Sequence, residues 1–229
     1  MLDYGNMLEI NATDDCQLGC SQCNRLCDVA PRRSYLSVDA IAKMCAEIPR
    51  MVRICIAGGE PMLHPDIEEV VRIIKEADVA DEILLLTNGI EECDIKGVTI
   101  WNSAKHQSPA KHNYLMTVAP VDLNLFGRKD VGLCDMLKRC GLGYSADGYY
   151  PCPLSAAIGR VFGIRGAGTF DELMGDKYGI LLEKTCSYCG YYLTSLEDSI
   201  LPPFEYPAGM MTVSWVEAIE KYNGGNDAK

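Results

Sequence analysis

Three cysteines within one short loop, directly after a strand-like segment, constrain this chain more than any other feature of its sequence. The run Cys16–Cys23 has the spacing Cys-x-x-x-Cys-x-x-Cys, and residues 7–11 before it are typical of a strand. Three thiolates at this spacing can bind three irons of a [4Fe–4S] cube and leave the fourth iron open. The alternative is a structural zinc site, which needs a fourth ligand. Cys27 is either such an additional thiolate or a buried loop cysteine.

The composition indicates which environment these thiols occupy. The 229 residues include twelve cysteines, 48% hydrophobic residues and 23% charged residues, and the formal net charge is −11. A secreted disulfide scaffold would be shorter and would begin with an export signal, so we expect reduced thiols in a cytoplasmic protein. The acidic balance disfavours nucleic-acid and anionic-membrane partners. No apolar run approaches the ~20 residues of a membrane span.

Apolar periodicity in the first ninety residues predicts alternating strands and helices. Ser37 is a suitable N-cap for a helix that ends before Pro49, and a second helix is expected to begin at Pro65. The short apolar runs 52–57 and 83–86 are typical of buried parallel strands. The order β-α-β-α-β indicates a parallel sheet with right-handed crossovers.

After Gly89 the strand-like segments follow one another without room for helices, because a parallel crossover usually needs a dozen or more residues. Segments 98–101 and 115–118 are predicted as the next strands. Residues 134–153 are predicted to form a hairpin with its turn at Asp147-Gly148, followed by glycine-rich loops at 159–168 and a last helix. We therefore predict an α/β fold, with a partial, trimmed barrel at residues 1–125 and a smaller hairpin-containing module at residues 126–229.

Two short motifs follow the second and third predicted strands, at the edge where α/β sheets bind ligands. Gly58-Gly59-Glu60-Pro61 ends the second strand. Its two glycines allow a ligand to approach the backbone closely, and strand carbonyls with the Glu60 carboxylate can receive an ammonium group. Thr87-Asn88-Gly89 ends the third strand and carries polar groups suited to sugar hydroxyls. Each motif taken alone is also consistent with an ordinary turn.

In this order, the motifs resemble those of the radical S-adenosylmethionine (radical SAM) superfamily. Cys16, Cys20 and Cys23 match the family's cysteine loop, and residues 58–61 match its Gly-Gly-Glu-Pro motif. The resemblance covers roughly residues 7–120 and implies a partial (β/α) barrel. It further implies that the open iron binds S-adenosylmethionine, which one electron cleaves to a 5'-deoxyadenosyl radical that abstracts a substrate hydrogen. A cellular flavodoxin- or ferredoxin-type protein would donate that electron.

The resemblance also implies which residues bind S-adenosylmethionine. Its ammonium group is assigned to residues 58–61, and its ribose and carboxylate are assigned to Asn88, Ser103 and Lys105. The family commonly has an aromatic residue before the third cysteine. Here that residue is Gln22, so the contact with adenine is assigned to its backbone.

A second group of five cysteines lies beyond the predicted barrel and comprises Cys134, Cys140, Cys152, Cys186 and Cys189. With the predicted hairpin, these residues resemble the Twitch form of the SPASM extension, a module that holds one auxiliary [4Fe–4S] cluster. Four ligands are needed, so Cys134 and Cys140 compete for the last place. Cys134 is favoured because the module usually takes its first ligand before the hairpin. The alternative is a zinc ribbon made by the same thiols.

A few other polar residues are candidates for ligand contacts. Arg25 and the arginines at 32 and 33 give the cysteine loop a local positive charge, which either steers a carboxylate or phosphate or lies on a solvated loop. His64 is interpreted as a turn residue. His106 and His112 either face a substrate or lie in a solvated loop.

The sequence identifies no catalytic residue, so the function is expressed as a reaction class. We predict a radical SAM enzyme that oxidises or epimerises a small polar metabolite such as a sugar or aminocyclitol. An auxiliary cluster near the substrate suits an oxidation, because it can accept the electron that remains after hydrogen abstraction. The alternatives are peptide maturation, which is common among SPASM enzymes, and a non-catalytic zinc-binding interaction protein.

Overall fold

A six-stranded sheet organises the part of the chain that the computed structural model describes, residues 5–21, 23–105, 116–126, 134, 136–195 and 210–226. The strands are β1 (Met7–Thr13), β2 (Met51–Gly58), β3 (Ala80–Thr87), β4 (Thr99–Asn102), β5 (Leu142–Ser145) and β6 (Gly148–Tyr150). Their order across the sheet is β4-β3-β2-β1-β5-β6. The first five run parallel to their neighbours, and β6 is antiparallel to β5. The predicted α/β class with a mostly parallel sheet is confirmed.

The helices are α1 (Val38–Glu47), α2 (Ile67–Ala77), α3 (Met136–Arg139), α4 (Pro153–Phe162), α5 (Phe170–Glu172), α6 (Tyr178–Cys186), α7 (Gly190–Ser195) and α8 (Val213–Asn226). The predicted N-cap of α1 is confirmed, since Ser37 Oγ accepts a hydrogen bond from the amide of Ala40 at 3.2 Å. α2 begins at Ile67, two residues later than predicted. In the described ranges, no helix is both long and apolar enough to cross a membrane.

The two faces of the sheet differ in character because side chains alternate along each strand. Leu8 and Ile10 of β1 belong to one buried cluster that also contains Ile54 and Ile56 of β2 and side chains of α1 and α2. The alternate positions, including Glu9 and the neighbouring Cys55, therefore face the opposite side, which we call the inner face. The inner face carries the polar groups discussed below.

The predicted strand at 115–118 is wrong. Leu115 lies outside the described residues, and Met116 to Ala119 form an irregular segment. The hydroxyl of Thr117 donates to the carbonyl of Met210 at 2.7 Å, and the amide of Thr212 donates to the carbonyl of Thr117 at 3.1 Å. The segment is held by the start of the last helix because its backbone groups find partners there instead of at a sheet edge.

The other predictions for the second half are confirmed in part. Residues 88–98 connect the parallel strands β3 and β4 without a helix, so the sheet is open on this side. The hairpin forms with its turn at Ala146 and Asp147. The glycine-rich loop is shorter than predicted, because α4 continues to Phe162 and ends at Gly163 with φ 68°. β5 pairs with β1, so the hairpin extends the main sheet; the division of the chain at residue 125 stays a prediction.

Candidate metal and cofactor sites

A cavity of about 100 Å³ lies at the carboxyl ends of the parallel strands and brings together most of the residues that the motifs singled out. Its lining includes Cys16, Cys20, Cys23, Arg25, Gly58, Gly59, Thr87, Asn88, Ser103 and Lys105. Glu60 and Pro61 are buried beside it. Gln22 lies outside the described residues. The cysteine loop and the ends of β2, β3 and β4 thus share one ligand-accessible space.

The two glycines allow the end of β2 to lie directly against the start of the cysteine loop. The amide of Gly59 donates to the carbonyl of Thr13 at 2.7 Å. Gly58 has φ +132°, and a Cβ there would collide with the carbonyl of Thr13. A Cβ on Gly59 would collide with the carbonyl of Asp15. Only glycine permits this approach, so one side of the cavity is bare backbone.

Glu60 connects the ends of two strands through its buried carboxylate. Oε1 accepts hydrogen bonds from the Thr87 hydroxyl at 2.8 Å and the Met62 amide at 3.1 Å. Oε2 accepts from the Asn88 amide at 2.7 Å. The side chain therefore fixes the geometry of the cavity, and its predicted contact with an ammonium group stays a prediction.

Asn88 and Ser103 are both held in place at the cavity by hydrogen bonds within the chain. The side-chain amide of Asn88 donates to Gln17 Oε1 at 3.2 Å and lies 3.9 Å from Cys16 Sγ. Its Oδ1 accepts from the amide of Ile90 at 3.0 Å. The hydroxyl of Ser103 donates to the carbonyl of Thr87 at 2.9 Å. Two oriented polar groups therefore stand next to the cysteine loop.

The first cysteine loop offers soft ligands of unequal acidity. The Cys27 thiol donates a hydrogen bond to Cys23, which lowers the pKa of Cys23 to about 6 and raises the pKa of Cys27. Burial raises the pKa of Cys16. Cys27 is buried beside the carbonyl of Asp14, at 3.5 Å, and is not part of the cavity lining. Three thiols facing one glycine-floored cavity fit a cluster with three protein ligands.

Four cysteines of the second group lie close together at the opposite edge of the sheet. β6 runs antiparallel and returns the chain to the amino ends of the parallel strands, where Cys152 begins α4 and its Sγ accepts from the Ser155 amide at 3.4 Å. Burial first, and the neighbouring thiols second, raise the pKa of Cys186, and Cys134 and Cys152 are among those neighbours. Cys134 and Cys152 also raise the pKa of Cys189. Buried thiols packed in this way fit thiolate coordination of a cluster.

Cys140 occupies a different position. Its pKa is raised to about 12 by burial and then by the charge of Glu9, and Cys152 is the thiol of the second group that acts on it. Cys134 contributes to the raised pKa of both Cys186 and Cys189. The preference for Cys134 over Cys140 as the fourth ligand stays a prediction.

In the described ranges, no three His, Cys, Asp or Glu side chains converge on a site for one metal ion. A four-iron cube would place each thiolate on a different iron. All twelve cysteines lie in the described part of the chain, and none forms a disulfide.

The sequence did not reveal a buried ion pair beside the cavity. Arg25 contacts Glu9, and their side chains are 11% and 7% exposed. Burial opposes the charge of Arg25, but Glu9 and nearby thiols more than offset it, so the pKa of Arg25 is raised. Burial also raises the pKa of Glu9, against the effect of Arg25. The one available signal was an acidic residue in the middle of a strand.

The remaining candidates have structural positions or lie outside the described residues. His64 is buried, with Nε2 2.8 Å from the carbonyl of Leu36 and Nδ1 accepting from the amide of Asp66 at 3.0 Å. This confirms its interpretation as a turn residue. His106 and His112 lie outside the described residues. The side chain of Arg33 is 86% exposed and 3.7 Å from Asp15.

Comparison with known proteins finds matches that include the first part of the chain. Residues 10–95 match the Radical SAM superfamily profile. The chain is 27% identical to a GTP 3',8-cyclase of Aquifex aeolicus (strain VF5) over 124 residues, which cover 48% of this chain and 38% of that protein. It is 35% identical to the GTP 3',8-cyclase of Chlorobaculum tepidum over 91 residues, 39% of this chain and 26% of that protein. It is 24% identical to the GTP 3',8-cyclase of Acidothermus cellulolyticus over 170 residues, which cover 67% of this chain and 43% of that protein. The matches thus span less than half the length of these relatives.

Proposed function

Residues 10–95 carry a radical SAM domain, whose cofactors are a [4Fe–4S] cluster and S-adenosylmethionine, and on that premise we propose that this chain catalyses radical chemistry on a small polar metabolite. The observation that carries the proposal is the shared cavity of the cysteine loop and the glycine motif. A structural zinc site would need a fourth ligand, and Cys27 is not part of the cavity lining.

In the proposed site, each group of residues has a distinct role. Cys16, Cys20 and Cys23 bind three irons of the first cluster and leave the fourth open. The backbone at 58–61 receives the ammonium group of S-adenosylmethionine, and Asn88 and Ser103 bind its ribose and carboxylate. The hydrogen bonds of Glu60 keep these groups at fixed positions, so that little reorganisation accompanies binding.

When bound, the two cofactors supply a 5'-deoxyadenosyl radical that abstracts a hydrogen atom from the substrate. The protein's part is to hold the substrate against the cavity and to limit access of water. Arg25 lines the cavity and contacts Glu9, which is paired with Cys55 on the inner face of the sheet. A flavodoxin- or ferredoxin-type protein is the proposed source of the electron.

A second [4Fe–4S] cluster is proposed on Cys134, Cys152, Cys186 and Cys189. The support is that Cys134 and Cys152 lie near enough to Cys186 and Cys189 to raise the pKa values of those two buried thiols. The cluster would lie at the amino edge of the sheet, across the inner face from the first. An electron acceptor on the far side of the substrate favours net oxidation over a redox-neutral reaction.

For the substrate, we propose a sugar or an aminocyclitol that is oxidised or epimerised. The polar character of the inner face and the proposed second cluster support this class. A second candidate is a guanosine nucleotide, because the relatives are named GTP 3',8-cyclase. Since those matches cover 26–43% of the relatives, they support the shared radical chemistry more strongly than the nucleotide.

The proposed function is tested with anaerobically reconstituted protein. We expect about eight irons and eight sulfides per chain, because each of two cubes contains four of each. Reduction with dithionite in the presence of S-adenosylmethionine should release 5'-deoxyadenosine, measured by chromatography. Cys16→Ala should abolish the release, because the cluster would lose a ligand beside the open iron.

Cys45→Ala is the matched control, because Cys45 is buried in α1 within the apolar core and lies outside the cavity lining. It should leave 5'-deoxyadenosine release intact. A colourless protein that carries zinc and forms no 5'-deoxyadenosine would contradict the proposal and favour the zinc-binding alternative. Faster release with guanosine triphosphate than with aminocyclitols would favour the nucleotide.

A further inference from the structure

The Glu9–Arg25 ion pair is a buried charge pair in which one member, Arg25, lines the first cysteine cavity. Arg25 follows Cys23 by two residues and lines the cavity together with Cys16, Cys20 and Cys23. Its side chain turns inward to contact Glu9 on β1, and both side chains are almost fully buried. Glu9 does not line the cavity, so Arg25 is the nearer charge.

Both members of the pair are held in position by the fold. Glu9 lies within β1, paired in register with Cys55 on one side and Gly143 on the other. The carbonyl of Arg25 accepts a hydrogen bond from Arg160 at 2.9 Å, and the carbonyl of Ala30 accepts another from the same guanidinium at 2.7 Å. The backbone of both residues is therefore anchored within the fold, and their side chains contact each other inside the protein.

We propose that this pair sets the reduction potential of the first cluster, with Arg25 raising the potential and Glu9 limiting the rise. The inference rests on the proposed function, because it requires a cluster on Cys16, Cys20 and Cys23. One-electron reduction adds a negative charge to the cluster. A fixed positive charge nearby stabilises the reduced form, and burial weakens solvent screening of that effect. The neighbouring carboxylate offsets part of it.

The test is an anaerobic potentiometric titration of the reconstituted protein with dithionite, followed by electron paramagnetic resonance at pH about 8, where a carboxylate is favoured. The first cluster is recognised as the one whose signal changes when S-adenosylmethionine is added to a parallel sample. We expect Glu9→Gln to shift its midpoint potential upward, because Arg25 then lacks its counter-charge. Arg25→Gln should shift the midpoint potential downward. Arg25→Lys keeps the positive charge, so its midpoint potential should be close to that of the wild-type protein.

The matched control is Glu82→Gln, which removes the same charge from the Arg53–Glu82 pair between β2 and β3. The side chains of Arg53 and Glu82 are 41% and 35% exposed, so water screens their charges. The control should leave the potential unchanged. Equal potentials for Glu9→Gln and the wild-type protein, or equal shifts for Glu9→Gln and Glu82→Gln, would overturn the inference.

A double variant and the wild-type cluster itself provide two further tests of the inference. If Glu9→Gln fails to fold, the double variant Glu9→Gln/Arg25→Gln is compared with Arg25→Gln. The double variant should have the higher potential, because it lacks the negative charge, and equal values would refute the proposal. A wild-type protein without any reducible cluster would overturn the proposed function as well. A normal cluster with unshifted variants would overturn this inference alone.

Discussion

Glu60 shows at the scale of one residue how a buried carboxylate shapes a ligand site. Its two oxygens accept three hydrogen bonds, from Met62, Thr87 and Asn88. These donors belong to the turn after β2 and to the end of β3, so one side chain aligns two strand ends. The three donors satisfy the buried carboxylate oxygens, which would otherwise be left without partners inside the protein.

We predict that Glu60→Gln lowers the free energy of unfolding by about 1.5–3 kcal/mol, since hydrogen bonds to a charged group are lost. An amide cannot accept from all three donors because its nitrogen itself donates. Binding of S-adenosylmethionine to the reconstituted variant should also weaken. Denaturant titration and equilibrium dialysis measure the two effects.

Glu69→Gln is the control for this substitution, because Glu69 pairs with Arg72 on the exposed surface of α2. Its effect on stability should be within about 0.5 kcal/mol. Equal stabilities of Glu60→Gln and the wild-type protein would show that the three hydrogen bonds do not hold the strand ends together.

At the same scale, local motifs were predictable and long-range pairs were not. Cys16, Gly58 and Asn88 were found from spacing alone, because each belongs to a short pattern after a strand. The pairing of Glu9 with Arg25 joins a strand to a loop sixteen positions away, and neither residue forms a motif. The charge of Arg25, interpreted from the sequence as solvated or ligand-facing, is instead paired with Glu9 inside the protein.

At the scale of one element, helix α4 connects the two cysteine sites. Cys152 is its N-cap, and Arg160 lies near its other end, about 12 Å away at the usual helical rise. The guanidinium of Arg160 donates to the carbonyls of Arg25 and Ala30 and to the hydroxyl of Tyr222. One helix thus begins at a thiol of the second group and ends against the loop of the first.

We predict that Arg160→Met destabilises the first cysteine loop. The carbonyls of Arg25 and Ala30 lose their donor, and each buried unsatisfied acceptor costs about 1–3 kcal/mol. Protease cleavage within residues 23–33 should be faster in the variant, and its denaturation midpoint should fall. Mass spectrometry of the fragments locates the cleavage.

Arg165→Met provides the comparison, because Arg165 is exposed just beyond the end of α4. It should behave like the wild-type protein in both measurements. Cleavage of the loop at equal rates in both variants would contradict the role assigned to Arg160.

At the scale of the whole molecule, the sheet separates two groups of thiols. The first group lies at the carboxyl ends of the parallel strands, and the second lies where β6 returns the chain to their amino ends. The inner face, with Glu9, Arg25 and Cys55, extends between them. Cys140 lies near Glu9 of this face and near Cys152.

We therefore predict different outcomes for two cysteine substitutions in the second half of the chain. Cys134→Ala should reduce the iron content by about half, because one of two four-iron cubes loses a ligand. Cys140→Ala should retain the full iron content. Iron and sulfide analysis of anaerobically reconstituted proteins distinguishes the two. Loss of iron from Cys140→Ala, with Cys134→Ala unaffected, would reverse the assignment.

The alternation of strands and helices in the first ninety residues and the order of the ligand motifs could be predicted from the sequence. They depend on periodicity and spacing within short segments, where the contacts are between residues close in the chain. The pairing of β5 with β1 and the contact of residues 116–119 with the start of α8 could not be predicted in this way. Such choices depend on which distant groups satisfy buried donors, acceptors and charges, and that competition is settled only when the whole chain packs.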